Sequence, residues 1–109
     1  MKSKLRKSLD EKKFVFTAET SPPDSGSKLD IINQVKCLKN LADAINVTDG
    51  AGANSHMSAL ATAAIIAENQ IEPILQFTTR DRNRLGIQGD LLGGWALNIP
   101  NILCLYGDE

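Results

Sequence analysis

Four short apolar segments alternate along the chain with three longer segments in which apolar and polar positions recur at helical spacing. The apolar segments are rich in β-branched and aromatic residues and are followed by turn-forming residues, which is typical of strands. The pattern predicts strands over Lys13–Glu19, Ala44–Gly52 (including a glycine-bearing loop), Glu72–Thr79 and Asn101–Glu109.

The segments between the strands predict three helices. The first covers Lys28–Leu41, with apolar residues at Ile31, Val35, Leu38 and Ala42. The second follows Asn54 or Ser55, either of which can cap it, and its predicted apolar face is Met57, Leu60, Ala61, Ala64 and Ile65. The third covers Arg84–Asn98, with Ile87, Leu91 and a core Trp95 on one face. Its four glycines oppose helix propensity, which indicates either close packing against a neighbour or a loop.

The order β-α-β-α-β-α-β, at a repeat of roughly 30 residues, is that of successive βαβ units and predicts a parallel sheet with right-handed crossovers. Two architectures fit: an open doubly wound sheet, or part of a (β/α)₈ barrel. The first turn, ETSPPDSG, lacks the glycine fingerprint of dinucleotide-binding sheets, and GAG at Gly50–Gly52 is too short to replace it. The barrel is therefore favoured. Since such a barrel needs about 250 residues, the 109 residues amount to its N-terminal half.

Composition adds limits on partners and location. The net charge is −1, and six of the 12 basic residues fall within residues 1–13. Residues 1–12 are predicted to form a short leader helix, and residues 13–109 the incomplete barrel domain. We expect neither a nucleic-acid nor a membrane partner, because net charge is near zero and no apolar run approaches a membrane span. Cys37 and Cys104 are expected to be core residues of a cytoplasmic protein.

Residues that could bind a ligand or take part in catalysis lie just after the predicted strands. These are Glu19, Thr20 and Ser21, then Thr48 and Asp49, then Gln76, Thr78, Arg80 and Asp81, and finally Gly107 and Asp108. In a parallel barrel all of them lie on the carboxyl rim, where barrel active sites are built.

The densest polar stretch, TTRDRNR at Thr78–Arg84, follows the third strand. Asp81 and Asn83 are candidate caps of the third helix. Arg80 has Asp81, Glu109 or a phosphate as candidate partners. A loop-fixing network is the favoured interpretation of this stretch. Asp90 is expected to be solvated, and His56, the only histidine, to be a surface or loop-packing residue rather than a metal ligand.

The ordered set AETSPP, NVTDGAG, EPILQFTTRDRNR, QGDLLG and NILCLYGD resembles the methylenetetrahydrofolate reductase family, over Phe14–Asp108. The resemblance is greatest to the bacterial branch with an aspartate-arginine-asparagine motif after the third strand. It implies an eight-stranded barrel holding FAD on the carboxyl rim. NADH or NADPH reduces the flavin, which passes a hydride to 5,10-methylenetetrahydrofolate and so produces 5-methyltetrahydrofolate, in one-carbon metabolism and methionine supply.

The resemblance also implies site roles. Glu19 matches the general acid that lets the five-membered ring of the folate open to an iminium ion, and Asp108 matches the aspartate that hydrogen-bonds the pterin. The cofactor-binding residues that it implies are Thr48, Asp49, Ala51, Gln76, Tyr106, Gly107 and Asp108. Asp49, Gln76 and Tyr106 stand where other branches carry different residues. A homo-oligomer is expected at full length.

Strands five to eight of the family barrel have no counterpart in the 109 residues. Two hypotheses therefore stand. In one, the chain is part of a reductase, although it is expected to be inactive alone. In the other, it is a non-catalytic half-barrel that needs a second polypeptide or self-associates through its open edges.

Overall fold

The computed structural model of the chain describes residues 3–108. Four α-helices and four strands follow one another in the order α1 Lys4–Asp10, β1 Thr17–Thr20, α2 Lys28–Val35, β2 Ala44–Val47, α3 Ala59–Glu68, β3 Pro73–Thr78, α4 Arg84–Ala96 and β4 Asn101–Leu105. Two 3₁₀ turns, Lys36–Leu38 and Ala51–Ala53, extend α2 and the loop after β2.

The four strands form one parallel sheet in the sequential order β1-β2-β3-β4. A doubly wound sheet reverses its strand order at the switch point where its ligand binds, and this sheet has no reversal. The sequential order is that of the first half of a (β/α)₈ barrel. The prediction of an α/β half-barrel is thus consistent with the structure, in which a leader helix also precedes the first strand.

One face of the sheet packs against α2 and α3. Ile45, Val47, Leu75 and Phe77 point to this face and are at most 2% exposed. The helices supply Ile31, Val35, Ala63 and Ile66 to the same cluster. Each fully buried Ile, Leu, Val or Phe contributes roughly 1.5–3 kcal/mol through removal of apolar surface from water. Because strand side chains alternate between faces, Asn46, Ile74 and Gln76 lie on the opposite, concave face.

Each of the three helix-to-strand connections contains a residue in the left-handed conformation. Asn40, Gln70 and Asn98, which follow the three helical segments, all have left-handed φ angles of 60° to 68°. A left-handed residue ends a helix and turns the chain back, and asparagine tolerates that conformation better than most residues.

Helix α1 lies at the amino ends of the strands, held there by Glu72 just before β3. Its carboxylate accepts hydrogen bonds from the Lys4 and Leu5 amides at 2.8 and 2.7 Å and from Asn101 Nδ2 at 3.2 Å. A carboxylate is favourable there because the first amides of a helix have no partner within it. The predicted leader helix is therefore tied to the sheet.

Several elements are shorter than predicted. β1 begins at Thr17 rather than Lys13, α2 ends at Val35, and β2 ends at Val47. β3 lacks the predicted Glu72 and Thr79, and α4 ends at Ala96. β4 ends at Leu105, and the Glu109 included in that prediction lies outside the described residues.

The predicted start and buried face of α3 were wrong. Its cap is Ser58, whose hydroxyl accepts from the Ala61 amide, rather than Asn54 or Ser55. The fully buried positions are Ala59, Thr62, Ala63 and Ile66. Of the predicted face, Met57, Leu60, Ala64 and Ile65 are only partly buried against the core, and Ala61 is exposed. An alanine-rich segment that is apolar on almost every side gives little indication of which side faces the sheet.

Some residues predicted to be buried are exposed. Trp95 is 59% exposed and Leu91 38%, so of the predicted α4 face only Ile87 packs against the core. Cys37 and Cys104 are also exposed. β4 is largely exposed even though its sequence is apolar. All of these except Cys37 belong to α4 or β4, at the edge of the sheet where residues 3–108 provide no further strand, whereas Cys37 lies in the 3₁₀ turn after α2.

Two of the four glycines in α4 face Leu60 of α3, the kind of neighbour that the close-packing alternative required. A Cβ at Gly94 would lie 3.6 Å from Leu60, and one at Gly93 would lie 4.0 Å from it. A Cβ at Gly89 would meet open space. Helix α4 therefore contacts α3 at its C-terminal end, but a Cβ would fit there at ordinary van der Waals distance, and the packing does not require glycine at any of these three positions.

We expect Thr62→Val to stabilise the fold. Thr62 is fully buried, and its hydroxyl has no hydrogen-bond partner among the described residues. Valine has the same shape, so removal of the unpaired hydroxyl should raise the free energy of unfolding by about 1 kcal/mol. Urea unfolding measures the change. The matched control is Thr78→Val, because the Thr78 hydroxyl is also buried but bonds Asp49, and this substitution should destabilise. Equal effects of the two substitutions would contradict the expectation.

Candidate active site at the carboxyl ends of the strands

A cleft of about 320 Å³ lies at the carboxyl ends of β2, β3 and β4. Its lining consists of Thr48, Asp49, Ala51, Gln76, Thr78, Leu105, Tyr106, Gly107 and Asp108. All seven residues predicted to bind a cofactor are in this set. Glu19, at the end of β1, is not part of the lining but is hydrogen-bonded to Gln76.

The ion pair between Asp49 and Arg82 links the loop after β2 to the loop after β3. Asp49 Oδ2 accepts from Arg82 Nη1 at 2.6 Å, from the Thr78 amide at 2.9 Å and from the Thr78 hydroxyl at 3.1 Å. The two side chains are only 13% and 15% exposed. The Asp49 carboxylate therefore bonds Thr78 of β3 and Arg82. These partners cannot be read from the sequence.

Arg82 joins three parts of the structure, the loop after β2, strand β3 and helix α4. Besides Asp49, it bonds the Thr78 carbonyl at 2.7 Å and Asp90 of α4 at 3.1 Å, and its guanidinium lies 4.1 Å from the Phe77 ring centroid. Partial burial disfavours its charged form, but the hydrogen bonds to Asp49 and Asp90 outweigh that effect and raise the pKa of Arg82. The guanidinium stays charged, and Asp90 is ion-paired rather than merely solvated as expected.

Arg80 fixes the loops on either side of the cleft. Its guanidinium donates to Asp81 Oδ2 at 2.7 and 3.0 Å, to the Asp108 carbonyl at 2.8 Å and to the Gly50 carbonyl at 3.4 Å. The hydrogen bond from Arg80 lowers the pKa of Asp81 below its ordinary value. With its donors directed at these oxygens, Arg80 acts as a loop-fixing residue, as the favoured interpretation predicted.

Two glycines make room for Arg80. A Cβ added at Gly50 would lie 2.7 Å from Arg80 Nη2, and one at Gly107 would lie 3.0 Å from Arg80 Cβ. Gly107 also has φ of 111°, a conformation that other residues rarely adopt. Gly107 is thus required by the backbone and by its neighbour.

A second polar group lies on the concave face of the sheet. Gln76 Nε2 donates to Glu19 Oε1 at 3.2 Å and to Asn46 Oδ1 at 3.4 Å, and Asn46 Nδ2 donates to the Ala18 carbonyl at 3.4 Å. Asn46 is not among the residues predicted for the site. The available signal was strand alternation, since Ile45 and Val47 face the helices and Asn46 must face the other way.

The remaining predicted residues differ in what they offer a ligand. The buried Thr48 hydroxyl donates to Ser21 Oγ at 3.1 Å, and Ala51 begins the turn after β2. The Tyr106 carbonyl accepts from the Arg80 amide, whereas its ring is 84% exposed above the cleft. Asp108 Oδ2 accepts from the Gly52 amide at 2.9 Å. The last contact joins the loops after β2 and β4.

The polar residues beside the cleft and on the neighbouring loops bond other parts of the protein. Asn83 caps α4 by accepting from the Gly86 amide, whereas Asp81 pairs with Arg80. His56 Nδ1 lies 3.0 Å from the Pro22 carbonyl, which fits the predicted loop-packing role. Within residues 3–108 no group of three His, Cys, Asp or Glu side chains is arranged to hold a metal. No helix in that range is both long and apolar enough to cross a membrane.

These features define a parallel β/α protein with a cleft at the carboxyl ends of its strands, where enzymes of this architecture place their active sites. A sequence model of the methylenetetrahydrofolate reductase family matches residues 4–109. The chain belongs to this family of oxidoreductases, whose substrate is a folate and which generally use flavin. No curated protein gives a significant match.

We expect Arg82→Met to destabilise the fold substantially. Methionine keeps much of the volume but leaves the Asp49 carboxylate without its charged partner, which should lower the free energy of unfolding by about 2–3 kcal/mol. The control is Arg6→Met, because the Arg6–Asp10 pair is exposed and should contribute less than about 0.5 kcal/mol. Urea unfolding of both variants measures the difference, and similar small losses would show that the Asp49–Arg82 pair is not a principal contact.

Gly107→Ala should destabilise the rim through backbone strain and contact with Arg80. The expected loss is about 1–3 kcal/mol in the free energy of unfolding. The control is Gly26→Ala, since Gly26 has an ordinary φ and no atom within 4 Å of an added Cβ, and this variant should lie within about 0.5 kcal/mol of the parent. Thermal or urea unfolding distinguishes them. A Gly107→Ala variant as stable as Gly26→Ala would rule out the strain argument.

Proposed function

We propose that the protein contributes the first half of a flavin-dependent 5,10-methylenetetrahydrofolate reductase that uses NADH or NADPH and forms 5-methyltetrahydrofolate in the cytoplasm. The observation that carries the proposal is the coincidence of the cleft with seven predicted cofactor-binding residues, beside Glu19. Family membership supports the reaction class.

The residues of the cleft fit the ring system of FAD. A flat heterocycle with polar edges needs a hydroxyl, amide and main-chain lining with an aromatic surface nearby. Thr48, Gln76 and the Tyr106–Asp108 segment supply these groups. When bound, the flavin would supply hydride transfer from NAD(P)H to the folate. The cleft accounts for the ring only, because its volume is small for a whole dinucleotide.

Glu19 is proposed as the general acid. It is exposed at the carboxyl end of β1, so a substrate can reach it, and Gln76 holds one of its carboxyl oxygens. A positioned carboxyl that donates its proton to a nitrogen leaving group lowers the barrier to ring opening. Protonation would therefore convert the folate to the iminium ion that accepts the hydride.

Asp108 is proposed to hold the pterin. One of its carboxylate oxygens accepts from the Gly52 amide, and its carbonyl accepts from Arg80. This arrangement fixes the side chain beside the cleft, and carboxylate oxygens suit the donor-rich edge of a pterin. Asp49 is proposed to act on the cofactor through the rim loop that it anchors, since its carboxylate binds Arg82 and Thr78.

The half-barrel alternative has its own supporting observation. Leu92, Trp95, Ile102 and Leu103, near the β4 edge, are between 39% and 74% exposed, and Phe14 and Phe16, before β1, are 82% and 63% exposed. Apolar surface at two open sheet edges favours association. Size-exclusion chromatography with flavin absorbance decides between the two: a colourless aggregate supports the non-catalytic alternative, and a yellow defined oligomer supports the reductase.

Glu19→Gln should separate the two half-reactions of the proposed enzyme. Glutamine keeps the shape but cannot donate a carboxyl proton, so folate reduction should fall by at least about 100-fold while flavin reduction by NAD(P)H stays nearly unchanged. Stopped-flow flavin absorbance measures both steps. Glu68→Gln, a substitution at an exposed carboxylate on α3 that pairs with Lys28, is the control. Equal losses in both half-reactions would exclude the assigned role.

A further inference from the structure

The amide of Asn46 occupies an unusual position for a polar side chain. Its strand is otherwise buried, with Ala44, Ile45 and Val47 inaccessible to solvent. A polar group in such a strand is costly unless it is hydrogen-bonded. Asn46 has both kinds of hydrogen bond, as it donates to the Ala18 carbonyl and accepts from Gln76.

The chemistry of the partners fixes the direction of each hydrogen bond. The Ala18 carbonyl can only accept, so Asn46 must turn its Nδ2 toward β1 and its Oδ1 toward β3. Asn46 Oδ1 then requires a donor, which is Gln76 Nε2. An ionised Glu19 carboxylate also accepts only, and the same Nε2 serves it at 3.2 Å. Both N–H groups of the Gln76 side chain are committed, and neither of its two hydrogen bonds uses its carbonyl oxygen.

We propose that Asn46 is a positioning residue that acts through Gln76 to orient the Glu19 carboxyl group for proton transfer. The proposal rests on the proposed function of Glu19 as the acid. Without Asn46, the Gln76 amide is free to rotate and to present its oxygen to Glu19, which repels a carboxylate. With Asn46 in place, only the nitrogen side of the amide faces the acid.

The orientation determines which oxygen of Glu19 carries the proton. Glu19 Oε1 accepts from Gln76, so the transferable proton is on Oε2. During the step the Oε2–H bond breaks, its electron pair stays on Oε2, and the proton bonds to the nitrogen that leaves the opening folate ring. Gln76 continues to donate to Oε1 and so stabilises the carboxylate that is formed.

The kinetic test is a double-mutant cycle in the natural protein. Asn46→Leu, Gln76→Leu and the double variant are compared with the parent in the two half-reactions by flavin absorbance. Asn46→Leu should slow the folate half-reaction about 10-fold and leave flavin reduction within about 2-fold. Because Asn46 acts through Gln76, the double variant should be no slower in folate reduction than Gln76→Leu alone.

Asn101→Leu is the matched control. Asn101 is also a partly buried strand asparagine, whose Nδ2 bonds Glu72 and the Pro73 carbonyl at the amino end of the sheet. It should change stability without changing the ratio of the two half-reaction rates. Additive effects of Asn46→Leu and Gln76→Leu, or an equal loss in both half-reactions for Asn46→Leu, would overturn the proposal.

A second readout does not depend on activity. The Gln76 side-chain amide protons should give two shifted, slowly exchanging NMR resonances in the parent, and these should revert toward solvent-exposed values in Asn46→Leu. If Asn46→Leu does not fold, Asn46→Ala serves, because alanine also removes the oxygen that accepts from Gln76 and should give the same change in the resonances. Unchanged Gln76 resonances in the variant that folds would refute the Asn46–Gln76 coupling. Protein that binds no flavin but shows the expected resonances would refute the proposed function instead.

Discussion

The ion pair between Asp49 and Arg82 is the contact on which the rim of the sheet depends. Parallel strands bring their carboxyl ends together, but three loops at one edge have no backbone ladder to hold them. A single carboxylate oxygen joins the end of β2 to the Thr78 amide and hydroxyl of β3 and to Arg82 before α4. Both side chains are mostly buried, so solvent and salt weaken the pair less than an exposed one. Loss of either partner would leave the other as an uncompensated charge.

Arg80 extends the same arrangement to the open side of the cleft. Where Arg82 points inward to Asp49, Arg80 reaches across to carbonyl oxygens of Gly50 and Asp108, and two glycines leave the space it needs. The polar stretch after β3 is therefore a scaffold for the neighbouring loops, and most of the residues that line the cleft belong to those loops. This division explains why a cluster of arginines lies beside the cleft while only Thr78 of that stretch lines it.

The concave face of the sheet carries a second set of polar contacts, which are made by strand residues and not by loop residues. Glu19, Asn46 and Gln76 come from three strands, and the parallel register aligns them so that a chain of amide hydrogen bonds reaches a carboxyl group at the edge. Strand residues are more rigid than loop residues, so this chain is suited to fix the direction of a proton. In β/α-barrel enzymes the loops after the strands build the active site, and the catalytic residues come from the ends of several strands.

The order of elements, the parallel sheet and the location of the candidate site followed from the sequence, because hydrophobic periodicity and the polar strand ends are local properties. Family resemblance added the roles of single residues. The buried face of α3, the exposure of Trp95 and of both cysteines, and the partners of Asp49 could not be predicted. An alanine-rich helix has no single apolar side, and burial at β4 depends on what lies beyond the strand. Likewise, the hydrogen bonds of Asn46 and Asp49 join residues about 30 positions apart in sequence, a spacing set by the βαβ repeat. Only the register of the folded sheet decides which of them meet.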